Sequence, residues 1–221
     1  MMSNGEALAA ARAFAIKAHE QAGPAHDFSH VERVYALAER IGAAEGADLF
    51  TVRMAALLHD VGRSVESERS ETGPDRHEEE SVKLAEPFLE GIGLEPRRIK
   101  CILEAILRHR HRRAREPVSL EDKCLFDADK LDSLGAVGIA RAYLWLGEYG
   151  RSVYYPPESY AAIDPANNSV EVDSAQREFH IKLRHLKDRM RTETGKRIAQ
   201  ERHARMERIL MEIEAEVRGE S

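Results

Sequence analysis

The chain has 221 residues and a mass of 24.9 kDa, is 43% hydrophobic and 33% charged, and carries a net charge of −6. These values fit a soluble globular protein with one sizeable core, contain no apolar run near the roughly 20 residues of a bilayer span, and argue against duplex nucleic acid as a main partner. Met1-Met2-Ser3-Asn4-Gly5-Glu6 has neither the basic start nor the apolar core of a signal peptide, so a cytoplasmic location is expected.

Helical periodicity runs through nearly the whole chain. Leu8, Ala11, Ala15 and Ala18 mark one face of a first helix ending near Gly23-Pro24. His26-Asp27, between that Gly-Pro step and the next apolar stripe, reads as a helix-entry turn. Val31, Val34, Tyr35, Ala38 and Ile41 define a second helix closed by Gly42. Asp48 caps a third helix through Leu58, and Gly62 supplies its stop. Residues 63–76 read as a loop, with helices resuming at His77–Leu89, Arg97–Leu107, Leu120–Leu125 and Leu131–Leu146. Residues 147–170, rich in Gly, Pro and Asn, form an irregular connection. Phe179, Leu183, Leu186 and Met190, then Met206, Ile209, Leu210, Ile213 and Val217, mark two amphipathic helices broken around Thr194-Gly195. With no run of alternating β-branched residues, the predicted class is all-α: a helical bundle over residues 1–150, with residues 151–221 completing the same domain by packing on the core or on a second subunit. A homodimer is therefore entertained. Cys101 and Cys124, each among apolar neighbours, read as buried thiols.

Charge is unevenly placed. Glu66 to Glu95 holds ten acidic and three basic residues, whereas Arg177 to Arg208 holds eleven basic and five acidic. Arg108-His109-Arg110-His111-Arg112-Arg113 is cationic throughout and would attract an anionic small molecule; solvated helix faces are the plainer reading of the long stretches.

His59-Asp60 sits where an apolar helix ends, before Val61-Gly62. A histidine nitrogen and a carboxylate from one dipeptide make half of a divalent-metal shell; a helix C-terminus with histidine on its last carbonyls is the alternative. His30 and Asp129 lie in similar apolar-periodic settings, completing the order His, His-Asp, Asp. The run Asp127/Asp129/Asp132 does not make an EF-hand, because Asp132 stands where that loop requires glycine.

His26-Asp27-Phe28-Ser29-His30, Ala55-Ala56-Leu57-Leu58-His59-Asp60-Val61-Gly62 and Asp127–Arg141 together resemble the HD superfamily of metal-dependent phosphohydrolases. The third segment is similar to its YpgQ/YedJ-like branch of nucleotide pyrophosphohydrolases. The resemblance covers roughly the first two-thirds of the chain. It implies one divalent metal held by His30, His59, Asp60 and Asp129, with manganese favoured over iron, cobalt, nickel or magnesium, and a second metal less expected. It also implies hydrolysis of nucleoside triphosphates, deoxy forms favoured, to monophosphate and pyrophosphate. A phosphodiesterase, a nucleotide monophosphatase, or a catalytically silent nucleotide-sensing module are the alternatives. Asp60, His77 and His109 are candidate catalytic groups; His77 as a plain helix start and His109 as one more cation are the competing readings. Arg63, Lys130 and Arg108 are candidate phosphate contacts, or ordinary surface charges. The Glu-Asp pair of guanosine-tetraphosphate hydrolases and the Gly-Tyr-Pro segment of cyclic-dinucleotide phosphodiesterases are both missing, which moves weight toward mononucleotides. No general base stands out among Asp60, Glu78 and Glu80.

Overall fold

The computed structural model describes residues 2–20, 27–63, 76–110, 115–156 and 174–220. All regular structure among the described residues is helical, so the all-α expectation holds. The helices are α1 (Asn4–Ala18), α2 (Phe28–Glu45), α3 (Leu49–Leu58), α4 (His77–Gly91), α5 (Pro96–Arg108), α6 (Leu120–Leu131), α7 (Gly135–Glu148), α8 (Ala175–Ile181) and α9 (Glu193–Arg218), with a 3₁₀ segment at Leu183–Arg189. No described helix is long and apolar enough to cross a membrane. The chain divides into two compact units: Met1–Asp129 with Arg191–Gly195, and Lys130–Met190 with Lys196–Ser221.

In the first unit, α3 is the central helix. Asp48 caps it, Oδ1 accepting from the Phe50 amide (3.1 Å) and Oδ2 from the Thr51 hydroxyl (2.8 Å). Val52, Met54, Ala55, Ala56, Leu57 and Leu58 are all buried. A helix apolar around most of its circumference needs several neighbours, and α1, α2 and α5 pack on it. α1 presents Ala7, Ala11 and Ala15, fully buried small residues that allow close approach, with the predicted Leu8 and Ala18 on the flanks. α1 closes at Ala18; Gly23-Pro24 and His26 lie outside the described residues.

Two glycines do different work from that expected. Gly42 does not end α2, which runs on to Glu45 and is capped by Gly46 at φ 80°. A Cβ on Gly42 would lie 3.2 Å from Leu49 Cδ2, so this glycine sets the α2–α3 spacing. Gly62 likewise lies past a helix already closed at Leu58; its amide donates to Ser81 Oγ (2.9 Å), and a Cβ there would sit 2.3 Å from the Ser81 backbone nitrogen. It is glycine because α4 passes against it.

The third difference is α6. It continues beyond Leu125 to Leu131, because Cys124, Leu125, Ala128 and Leu131 form a buried i, i+1, i+4, i+7 stripe. The break falls at Asp132–Leu134, and Gly135 (φ 77°) starts α7. Asp127 on α6 accepts from the Arg191 amide (2.8 Å), the Thr192 amide (2.8 Å) and the Thr192 hydroxyl (2.7 Å). These bonds stop the chain at Met190–Thr192 and start α9 at Glu193, so Thr194-Gly195 lies inside the helix and not at a break. Burial pushes the Asp127 carboxyl up, opposed by these hydrogen bonds. Asp127→Ala leaves three donors without an acceptor in a buried place; a loss of about 3 kcal/mol is expected, read as a lower denaturation midpoint. An unchanged midpoint would mean that water replaces the carboxylate.

In the second unit Leu134, Ile139, Leu146, Phe179, Leu183, Leu186, Met190, Ile198, Met206 and Leu210 are buried. The predicted stripe through Met190 is therefore inward-facing, but it is split between α8 and the 3₁₀ segment at Lys182, whose φ and ψ are −135° and −58°. Asp132 pairs with Arg141 at 2.9 Å. Along α9 the stripe fades from buried Met206 and Leu210 to Val217, half exposed.

The cysteines separate. Cys124 is buried, its thiol pushed up to about 12 by burial, whereas Cys101 is exposed. On α5 the inward positions are Ile99, Ile102, Ala105 and Ile106, and Cys101 lies out of phase with them.

Candidate metal centre

The chemistry-bearing residues of the first unit come from four helix ends and one helix interior. His30 stands in the first turn of α2, which Asp27 caps by accepting from the Ser29 amide. His59 and His109 are the residues that close α3 and α5. Each places Nδ1 on a carbonyl three residues back: His59 on Ala56 at 2.8 Å, His109 on Ile106 at 2.6 Å. A carbonyl can only accept, so Nδ1 carries the proton and Nε2 keeps its lone pair. The two readings of His59 are thus compatible, since one ring nitrogen serves the helix end and the other faces the cluster. Asp60 follows, His77 opens α4, and Asp129 lies on the part of α6 beyond its predicted end.

His30 Nε2 lies 3.3 Å from His59 Nε2, 3.6 Å from Asp60 Oδ2 and 3.5 Å from Asp129 Oδ1. His59 Nε2 lies 3.8 Å from Asp60 Oδ2 and 4.0 Å from Asp129 Oδ1. Ligand atoms about 2.1 Å from one ion stand about 3–4 Å apart, so these spacings suit a single divalent cation. The other oxygen, Asp60 Oδ1, faces His77 Nε2 at 3.3 Å and His109 Nε2 at 3.7 Å. One ligand atom each from His30, His59 and Asp60 lies within 4.8 Å of the others, and the same is true of Asp60, His77 and His109. Asp60 Oδ1 is buried and makes no hydrogen bond. A carboxylate oxygen left this way costs free energy that a cation or a proton-bearing ligand would recover. The donor set fits a divalent metal.

Electrostatics agree with the geometry. Burial pushes the Asp60 carboxyl up, but Arg63, then His59, His77 and His30, outweigh it and hold the group well below the usual carboxylate range. Burial pushes His59 down, aided by His30 and opposed by Asp60 and Asp129. His109 is pushed down further, by burial and by His59 and His77. Near pH 7 Asp60 is therefore ionised while His59 and His109 are neutral, the state that metal ligation requires. For His59 and His109 the folded values lie below 6.5 and the unfolded chain binds more protons, so acid favours unfolding. Stability of the metal-free protein should be level above about pH 6.5 and fall below it, with Asp60 adding a further loss below about pH 4. Urea unfolding at a series of pH values checks this; a curve flat down to pH 5 would contradict neutral, buried imidazoles.

The cations are distributed differently from the sequence expectation. Arg63 Nε donates to Asp60 Oδ2 at 2.9 Å and its Nη2 lies 3.5 Å from His77 Nε2, so it is part of the cluster. Arg108 is engaged elsewhere, by Glu104 (2.9 Å), the Glu116 carbonyl (3.0 Å) and Asp122 (3.8 Å); it is not brought to the cluster. Arg110 pairs with buried Glu78 at 3.2 Å, and Lys83 with Glu80 at 2.8 Å, which occupies both candidate bases besides Asp60. Lys130 is buried, next after Asp129 on α6. Residues 111–113 of the cationic run lie outside the described residues. The Arg63–Asp60 bond and the Asp127 anchor were missed from sequence; an arginine three residues beyond a ligand carboxylate is the signal that could have suggested the first.

A match to the HD domain family spans residues 27–134. The protein YpgQ of Bacillus subtilis strain 168 is 37% identical over 196 residues, covering 88% of this chain and 85% of YpgQ. The crystal structure of Bacillus subtilis YpgQ in complex with ADP superposes with a TM-score of 0.72, at 29% identity over the wider span of 97% of both chains. An HD-superfamily hydrolase from Bacillus thuringiensis gives a TM-score of 0.74 and 31% identity, covering 98% of this chain and 99% of that one. Sequence and fold agree, and the chain belongs to the HD superfamily, in its YpgQ-like branch.

Proposed function

We propose that this protein is a divalent-metal-dependent nucleotide pyrophosphohydrolase, cleaving nucleoside triphosphates, deoxy forms favoured, to monophosphate and pyrophosphate. The observation that carries the reading is Asp60, an ionised, buried carboxylate with one oxygen toward His30 and His59 and the other, lacking any hydrogen bond, toward His77 and His109. The solved YpgQ complex holds ADP, which supports a nucleotide as ligand of this relative. His30, His59, Asp60 and Asp129 would hold the ion, with manganese the favoured identity. When bound, such an ion neutralises phosphate charge and acidifies water, which hydrolysis of a phosphoanhydride needs.

The remaining groups have separable roles. His59 and His109 are oriented by backbone carbonyls and need no rearrangement to present Nε2. His77 and His109 serve as phosphate or proton contacts at the second oxygen of Asp60. Arg63 keeps Asp60 ionised and has further N–H groups for a phosphate oxygen. Lys130 is the other proposed phosphate contact, on the strength of its adjacency to Asp129. Lys130→Ala is expected to lower kcat/KM on triphosphates by the equivalent of about 1–3 kcal/mol while metal content stays constant; unchanged kinetics would remove it from the substrate contacts.

Product analysis on a nucleotide panel with manganese tests the reading. Pyrophosphate with monophosphate from triphosphates is the expected outcome. Orthophosphate alone from monophosphates, or opened cyclic nucleotides, would replace it with a phosphatase or phosphodiesterase. Nucleotide binding without turnover under every metal tried would make the protein a sensor.

A further inference from the structure

The second unit leaves one apolar helix face bare. On α7 the inward positions are Gly135, Gly138, Ile139 and Leu146, all buried. The opposite face carries Ala136, Val137, Ala140, Leu144 and Gly147, all exposed, Val137 at 39% and Leu144 at 50%. Steps of three and four residues place Val137, Ala140, Leu144 and Gly147 on a single stripe. No charge interrupts that stripe before Glu148, in a chain that is 33% charged. Both ends of the helix are electrostatically unfinished. No side chain caps the N-terminus, and the first turn holds no acidic residue. The positive end of the helix dipole therefore lacks the anion that would stabilise it. Glu148 sits in the last turn, at the negative end, where a carboxylate is least favoured. It is exposed and has no ion pair among the described residues.

We propose that this face is a two-fold contact between two copies of the chain, each α7 lying antiparallel on its counterpart. A two-fold axis at the level of Ala142 sets Ala140 against the partner's Leu144 and Val137 against the partner's Gly147, and each pair occurs twice. Large side chains thus fall on small ones, as close packing of two helices requires. The same register carries Glu148 to the first turn of the partner's α7, so each copy supplies the acid that the other's N-terminus lacks. Parallel packing would set Leu144 on the partner's Leu144 and Glu148 on the partner's Glu148, crowding like on like and leaving both N-termini unfinished. A face without charge of its own selects by shape, and this row of sizes complements itself when reversed, which is what an isologous contact needs. One helix pair lies at the small end of stable interfaces, so the dimer is weak and concentration-dependent.

Sedimentation equilibrium of the full chain over a wide range of concentration tests the proposal. The mass should rise from 24.9 kDa toward twice that value as concentration increases. Leu144→Glu should hold the protein at the monomer mass; because Leu144 is 50% exposed, circular dichroism should show an unchanged fold. Glu148→Lys should raise the dimer Kd about tenfold, since two favourable contacts with helix N-termini become repulsive. A size swap reads the register. Ala140→Leu adds exposed apolar surface and would strengthen indiscriminate association, but opposite the partner's Leu144 it overcrowds the contact, so a weaker dimer is expected. Adding Leu144→Ala to the same chain should restore the dimer. A wild type that stays monomeric at every concentration would overturn the proposal. So would a dimer indifferent to Leu144→Glu, or one strengthened by Ala140→Leu alone. Masses beyond the dimer would show a head-to-tail contact and overturn the closed two-fold arrangement.

Discussion

Asp60→Asn is expected to abolish tight divalent-metal binding and to lower metal-dependent hydrolysis at least about a thousandfold, equivalent to about 4 kcal/mol. The substitution preserves shape and removes one charge. Asp60 faces His30 and His59 through Oδ2 and His77 and His109 through Oδ1, so the change acts on both histidine pairs at once. An asparagine amide would turn an N–H₂ toward one of these pairs or toward the Arg63 guanidinium, which now donates to Asp60 at 2.9 Å. Either orientation sets a donor where a ligand or acceptor is needed. Metal content by mass spectrometry, beside circular dichroism to verify folding, reads the result. A folded variant with wild-type metal content would remove Asp60 from the ligand set, whatever its activity.

Gly62→Ala should be the most damaging small substitution near the site. The added Cβ would lie 2.3 Å from the Ser81 nitrogen and 2.6 Å from the Glu80 carbonyl carbon, both backbone atoms that no rotamer change can move. Helix α4 would have to retreat by about 1 Å to regain ordinary contact, at a cost of about 3 kcal/mol. His77 opens α4 and Asp60 lies two residues before Gly62, so the retreat also pulls His77 from Asp60 Oδ1. Lower stability and weaker metal binding should appear together. Gly42→Ala is the matched comparison: its Cβ meets the flexible Leu49 Cδ2 at 3.2 Å, and a loss under about 1 kcal/mol is expected. Equal losses at the two glycines would refute the backbone-contact argument.

Much of this was readable in the residues because the physics behind it is local. Hydrophobic spacing repeats with helical period, so helix existence and the inward stripes of α2, α3 and α9 follow from the sequence. Cap chemistry spans three residues, so Asp48 announces the start of α3. His30, His59, Asp60 and Asp129 could be nominated together because each ligand-type residue sits beside an apolar helical stripe, and the fold brings them within 4.0 Å of at least one another member of the set. Tertiary contacts decided the rest. Whether a glycine ends a helix or admits a neighbour depends on what packs against it, which separates Gly42 and Gly62 from Gly46. The break before α9 falls at Met190–Thr192 because Asp127, 64 residues earlier than Arg191, supplies the acceptors there. Cations of like appearance in sequence part for the same reason: Arg63 reaches Asp60, while Arg108 is taken by Glu104 and Asp122. Local pattern sets what a segment can become, and a partner distant in sequence sets where it stops and what its charges meet.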